Sequence, residues 1–341
     1  MEKQGKVWLV GAGPSDAGLM TLKGKAVLEQ ADVVVYDALV SASVLAMIPE
    51  QAQTVYVGKR SGHHSVPQPQ INHIVREAKR GRRVARLKGG DPFMFGRGGE
   101  ELELLREHNI PFEVVPGITS AIAVPAYNGI PVTHRDYCSS VHIITAHSKQ
   151  DGELNIPFPA LCQLHGTLVF LMGVTSMERI CRGLLQAGMD AQTPAAILQE
   201  GTSAAQRRVV ATLSTLVERA QQEKIQAPAV LVIGKVCQLA DQLSWTQLRP
   251  LDKVRVILTR PKELVSRMAD RLYQLGAQVI ELPSISLQPY EENEPLKTAL
   301  EHLESYRWVA FTSIAGVRIF FEQLQKYHHA IVDSLIAQDV E

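Results

Sequence analysis

Short runs of valine and isoleucine alternate along this chain with longer segments whose apolar residues recur at helical spacing. That alternation constrains the fold more than any other feature of the sequence. A strand buried on both faces reads as a continuous apolar run, and strands separated by helices pair in parallel. The pattern therefore defines an α/β protein with mostly parallel sheets. The spacing predicts strands at Val7–Val10, Val33–Tyr36, Thr54–Val57, Val84–Leu87 and Phe112–Val115, with helices over about 21–30, 70–80, 99–108 and 118–127. A second series follows, with strands at Val141–Thr145, Thr167–Met172, Ala195–Gln199, Gln206–Thr212 and Ala229–Ile233 and helices over about 176–187 and 213–223. The aperiodic stretch SWTQLRPLDK at 244–253 reads as a linker. A fresh pattern then begins, with strands at Val254–Leu258, Val279–Leu282 and Trp308–Thr312, a helix running to Leu275, another at about Glu294–Leu303 and one from Ala315. The expected organisation is a first lobe at 1–128, a second at 129–243, the linker at 244–253 and an unfinished α/β domain at 254–341.

Composition removes several function classes. Lys plus Arg and Asp plus Glu number 35 each, so bulk charge does not favour a polyanion partner, and no nucleic acid is expected. The dense run Lys79-Arg80-Gly81-Arg82-Arg83 lacks interleaved aromatics and falls at a helix end, where cations complement the dipole and face solvent. Cys138, Cys162, Cys181 and Cys237 show no C-x-x-C spacing, which suggests neither a metal site nor a disulfide framework and fits a reducing compartment. No stretch of about 18 apolar residues and no signal-peptide pattern occurs, so the expectation is a cytoplasmic protein without a membrane partner.

Two glycine clusters carry the chemistry. The first, Gly11-Ala12-Gly13-Pro14-Ser15-Asp16, follows a strand, and Asp37 closes the next strand where a ribose-binding acid would sit. Asp16 stands where the dinucleotide fingerprint needs a third glycine, which weakens a nicotinamide or flavin oxidoreductase reading in favour of a plain strand-to-helix turn. The second cluster, Gly89-Gly90-Asp91-Pro92-Phe93-Met94-Phe95-Gly96-Arg97-Gly98-Gly99, places five glycines in eleven positions and so asks for unusual dihedrals or a closely approaching ligand. Asp91 could accept hydrogen bonds from a ligand or cap the next helix.

The segments GAGPSDAGLMTLKG, VVVYDALVS, VYVGKRSGHHSVPQPQIN, RLKGGDPFMFGRGGEE, VPGITSAIAVPAYNGIPVTHRDY and EGTSAAQRR together resemble the uroporphyrinogen-III C-methyltransferases of the tetrapyrrole methylase family over about residues 5–243. The resemblance implies a two-lobed α/β fold, usually homodimeric, with cofactor and substrate meeting in the cleft between lobes. It implies transfer of methyl groups from S-adenosylmethionine to two ring carbons of uroporphyrinogen III. The products would be precorrin-2, which leads to siroheme and cobalamin, and S-adenosylhomocysteine.

Carried over residue by residue, the cofactor site falls on Pro14, Gly89, Gly90, Asp91, Met94, Thr119, Ser120, Met172 and Gly201. Asp37 and Lys59 fall on the family's proton acceptor and donor. Ser15 and Ser120 depart from the family's usual residues, as small-for-small changes. An octacarboxylate substrate calls for cations, with Arg60, His63, His64, Arg97, His134 and Arg135 as candidates. Residues 254–322, through VILTRP, ELPSISLQP and YRWVAFTSIAGVRIFF, resemble the amino-terminal part of uroporphyrinogen-III synthase, which implies a fusion whose synthase half is incomplete and inactive. A methylase of a later corrin intermediate and a non-catalytic scaffold remain as competing expectations.

Overall fold

A computed structural model describes residues 5–58, 68–146, 154–259, 262–285, 287–290 and 292–327. The first lobe contains β1 (Lys6–Gly11), α1 (Leu22–Gln30), β2 (Val33–Tyr36), α2 (Ala42–Leu45), β3 (Gln53–Tyr56), α3 (Gln68–Lys79), β4 (Arg83–Lys88), α4 (Gly98–Glu107), β5 (Phe112–Val115) and α5 (Ser120–Tyr127). Its five strands lie in the order β3-β2-β4-β1-β5 and every pairing is parallel, as the valine-rich runs predict. One face buries Val10, Leu28, Val34, Ala85 and Leu87, and the other buries Val7, Val33, Val35, Val84 and Leu105. Thr21 starts α1 by accepting a hydrogen bond from Gly24 N at 3.0 Å, so the helix begins well beyond the first glycine cluster.

The second lobe contains β6 (Val141–Thr145), α6 (Phe158–Gln163), β7 (Thr167–Leu171), α7 (Met177–Gln186), β8 (Pro194–Gln199), β9 (Arg207–Thr212), α8 (Leu216–Gln222) and β10 (Ala229–Ile233). The strand order is β6-β7-β10-β8-β9, and only β6 and β7 run parallel; the other three pairings are antiparallel. The expectation of mostly parallel strands is corrected here. A strand covered on both faces is apolar throughout whichever way its neighbours run, so the apolar run fixes burial and not direction. Phe170, Leu168, Ile197 and Leu231 fill one side of this sheet.

The stretch expected as a free linker is packed instead. Trp245 Nε1 donates to Ala126 O at 2.9 Å, its ring meets Tyr127 edge-on at 5.0 Å, and Thr246 is buried. Leu251 N donates to Leu275 O at 2.9 Å. Beyond it lie β11 (Arg255–Leu258), α9 (Lys262–Gln274) and β12 (Gln278–Glu281), with β11 and β12 parallel. Compact grouping joins residues 1–258 and 265–282 in one unit and leaves 259–264 and 283–341 in a second. That second unit holds α10 (Glu294–Glu301) and α11 (Ile314–Tyr327). The strand expected at Trp308–Thr312 does not form. No described strand pairs with it, and Trp308 stands 84% exposed. An apolar run without a ladder partner leaves its backbone groups to water.

The basic run follows the end of α3 and faces solvent as expected, and its arginines also pair locally. Arg80 and Arg82 lie 3.0 and 3.4 Å from the buried carboxylate of Glu77, and Arg83 pairs with Asp32 at 2.7 Å. Among the described residues no helix is long and apolar enough to cross a membrane.

Glu113 on β5 knits the sheet edge together. It accepts from Lys6 Nζ at 2.6 Å and Trp8 Nε1 at 3.2 Å, and it pairs with Lys23. The Lys23 and Lys6 ammonium groups hold its carboxyl down at about 2. A depressed carboxyl stabilises the fold above its unfolded value and loses that contribution as pH falls through its folded value. Glu113→Gln should therefore be less stable than the parent in urea at pH 7, and the difference should vanish as pH falls from about 4.5 towards 2.

Candidate functional site

The crossover from β1 leads to β2 on one side, and the crossover from β4 leads to β5 on the other. The chain reverses direction between these two neighbouring strands, and ligands of open α/β sheets bind at such a reversal, beyond the carboxyl ends of the strands. Both glycine clusters meet there. Gly13 N donates to Gly90 O at 3.1 Å and Gly90 N donates to Gly13 O at 2.7 Å, with Ala12 N to Lys88 O at 2.8 Å extending the ladder. The turn after β5 packs on the same spot. A Cβ on Gly117 would lie 2.3 Å from Gly90 O, so only glycine admits three backbones this close. Gly90 has φ +69°, and a Cβ on it would point into open space, with only Ser120 N within 4.0 Å. That opening is the cradle that a ligand would occupy.

Asp91 holds the cradle's shape. Its Oδ1 accepts from Phe93 N at 2.8 Å and Met94 N at 3.1 Å, and its Oδ2 accepts from Gly117 N at 3.0 Å. Thr119 caps α5, and Ser120 opens that helix with its amide facing Gly90. Met94 is half-buried and packs against the apolar cluster that includes Ala121 and Val124. Met172 follows β7 with φ +56° and 48% of its surface exposed. Gly201 is buried, and a Cβ on it would strike Val124 at 2.3 Å, so it admits the β8–β9 turn against α5.

Pro14 lies in the first loop, which is tied to the second lobe. Ser15 N and Asp16 N both donate to Thr202 Oγ1, at 2.9 and 3.1 Å. Tyr127 Oη donates to Asp16 Oδ2 at 2.8 Å, and burial pushes that phenol's pKa up, keeping it a donor. The turn after β2 joins in through Ser41 Oγ, which donates to Ser15 O at 2.7 Å. Asp37 sits in this turn beside the cradle. Its Oδ1 accepts from Leu39 N at 3.1 Å, and a Cβ on Gly89 would meet Leu39 at 2.5 Å.

Lys59, Arg60, His63 and His64 lie outside the described residues. Arg97 has φ +59° and is engaged with Glu100 Oε1 at 2.8 Å. His134 and Arg135 occupy a separate turn, where the His134 ring packs on Tyr137 at 4.8 Å and its Nδ1 accepts from Asp136 N at 3.2 Å. Among the described residues no three His, Cys, Asp or Glu side chains converge as a metal site. Burial raises the thiol of Cys181 to about 11, away from nucleophilic use.

Three residues beneath the site are absent from the sequence-based list. Arg86, Lys88 and Glu101 are each about 5% exposed and form a buried ionic cluster that reaches Asp37. Cations at alternate positions of a central strand, in RVARLK, are the signal that could have found them.

Residues 6–217 match the family model of tetrapyrrole (corrin/porphyrin) methylases, and residues 266–336 match that of uroporphyrinogen-III synthase HemD. The chain belongs to the tetrapyrrole methylase family. It is 51% identical over 323 residues to a porphyrin biosynthesis protein HemD from Ruminiclostridium josui, covering 94% of this chain and 64% of that one. It is 52% identical over 246 residues to a siroheme synthase from Escherichia coli O1:K1, covering 72% of this chain and 53% of that one. The chain thus spans between about half and two thirds of these relatives. Among solved structures, the uroporphyrin-III C-methyltransferase of Thermus thermophilus complexed with S-adenosylhomocysteine is 36% identical, with TM-score 0.59, covering 69% of this chain and 99% of that one. A cobalt precorrin-4 methyltransferase superposes with TM-score 0.62 at 26% identity, covering 68% of this chain and 95% of that one.

If the opening above Gly90 is the cofactor cradle, Gly90→Leu should abolish S-adenosylhomocysteine binding in calorimetry while a thermal melt still shows a cooperative transition. Unchanged affinity would remove this loop from the site.

Proposed function

We propose that this chain is an S-adenosylmethionine-dependent C-methyltransferase that methylates two ring carbons of uroporphyrinogen III, giving precorrin-2 and S-adenosylhomocysteine. The observation that carries this reading is the Gly13–Gly90 cradle at the sheet's reversal point, with a carboxylate in the adjoining turn. Pro14, Gly89–Asp91, Met94, Thr119, Ser120, Met172 and Gly201 would hold the cofactor, glycine backbone on one side and soft methionine contacts on the other. When bound, the cofactor supplies an electrophilic methyl on a sulfonium.

The chain's own groups align the reactants and handle the proton. A ring carbon forms a bond to the methyl as the sulfur–methyl bond breaks, and the electron pair stays on sulfur. The ring system is then cationic and must lose a proton. Asp37 is the base that takes it, a role for which its partly exposed carboxylate beside the cradle is suited. Lys59 acts as the proton donor in the same reading. Alignment in the cleft contributes several kcal/mol of the rate enhancement. Arg60, His63, His64, Arg97, His134 and Arg135 would pair with substrate carboxylates. The active form would be a cytoplasmic homodimer.

Identity favours the uroporphyrinogen substrate over a later corrin intermediate, because this chain shares 36% with the uroporphyrin-III enzyme and 26% with the precorrin-4 enzyme at similar superposition. A dinucleotide reading is disfavoured because α1 begins only at Leu22, too late to present its N-terminus to a pyrophosphate at the first glycine turn. Asp37→Asn should lower labelled-methyl transfer to uroporphyrinogen III by about 100-fold or more, in the range of general-base contributions, with S-adenosylhomocysteine affinity unchanged. Equal loss of both would make Asp37 structural.

A further inference from the structure

The central strand β4 buries two cations, Arg86 and Lys88, where a parallel sheet is normally apolar. Val84, Arg86 and Lys88 share the face covered by α3 and α4, yet only Val84 joins the apolar core there. The Arg86 guanidinium is locked by three contacts. Nη1 donates to Leu87 O at 2.8 Å, while Nη2 sits between Glu101 Oε1 at 3.3 Å and Asp37 Oδ2 at 3.4 Å. Lys88 Nζ donates to the same Glu101 Oε1 at 2.8 Å. The four charges alternate and cancel.

This arrangement is a poor device for stability. Burying paired ions costs desolvation that their attraction roughly repays, and apolar residues of equal volume usually serve as well or better. Its cost is visible in two places. Burial and the neighbouring Arg86 hold the Lys88 ammonium below the ordinary lysine value. Glu101 Oε2 is buried without a hydrogen-bond partner. Glu101 is placed in the first turn of α4, where the helix dipole favours an anion. A cluster held at such cost, in contact with the partly exposed Asp37, points to a task at Asp37.

We propose that Arg86 is a positioning residue that fixes the orientation of the Asp37 carboxylate, with Glu101 clamping the guanidinium from behind and Lys88 balancing Glu101. The inference rests on the reading of Asp37 as the base. Leu39 N holds Oδ1 and Arg86 holds Oδ2, so the carboxylate cannot rotate. A carboxylate fixed at both oxygens presents one lone pair in one direction to the acidic proton. A base misplaced by about 1 Å can cost two orders of magnitude in rate.

A double-mutant cycle on the full chain tests this. Arg86→Lys keeps the charge and loses the planar fork. It should lower kcat for methyl transfer about 10- to 100-fold, with KM for the tetrapyrrole and affinity for S-adenosylhomocysteine changed by less than about 2-fold. Placed on Asp37→Asn it should lower the residual rate by less than about 3-fold, because its effect runs through Asp37. Glu101→Gln keeps the shape of the clamp; it should give a smaller loss in the parent and none in Asp37→Asn, and it completes the same cycle if Arg86→Lys does not fold. Additive losses, or parallel loss of cofactor affinity, would overturn the positioning role alone. A fully active Asp37→Asn would instead overturn the reading on which it rests.

Discussion

The site depends on two backbone hydrogen bonds between Gly13 and Gly90, which join the loops after β1 and β4 where the sheet's connections part. Because those strands are neighbours, their loops would diverge with the crossovers they feed unless something tied them. The reciprocal bond ties them, and the bare Cα atoms of Gly11 and Gly117 let the turn after β5 close in from the other side. Three loops from distant parts of the sequence thereby become one wall. Asp91 spends its hydrogen bonds holding that wall, and the space above Gly90 is what remains for a ligand.

Around this wall the second lobe, the turn after β2 and the buried charges each fix one degree of freedom. Thr202 holds the first loop by two amides, and Ser41 joins the Asp37 turn to the same loop. Trp245 and Gln278 reach back onto the first-loop neighbourhood, the first through Ala126 O and the second through Ala204 N at 3.1 Å. The segment after the second lobe is therefore packed within the same compact unit as the two lobes.

Much of this was legible in the sequence. The inner strands of both lobes announce themselves because a strand buried on two faces must be apolar throughout, and Val33–Tyr36 or Thr167–Leu171 admit little else. The glycine clusters announced close approach because only bare Cα atoms permit it. Direction of pairing was hidden, since β10 looks the same beside a parallel or an antiparallel neighbour. The packing of 244–253 was hidden because polar residues such as Thr246 satisfy their hydrogen bonds without any periodicity. The Arg86–Glu101 contact was hidden because its partners lie fifteen positions apart on a strand and a helix, and nothing local marks which acid meets which base.

The account's central claim is methyl transfer to a tetrapyrrole carbon at this cradle. Its most direct test is anaerobic incubation of the chain with uroporphyrinogen III and methyl-labelled S-adenosylmethionine, followed by mass spectrometry of the tetrapyrrole. The account predicts two labelled methyl groups per product molecule. A folded protein that binds the cofactor and leaves uroporphyrinogen III unlabelled would contradict it.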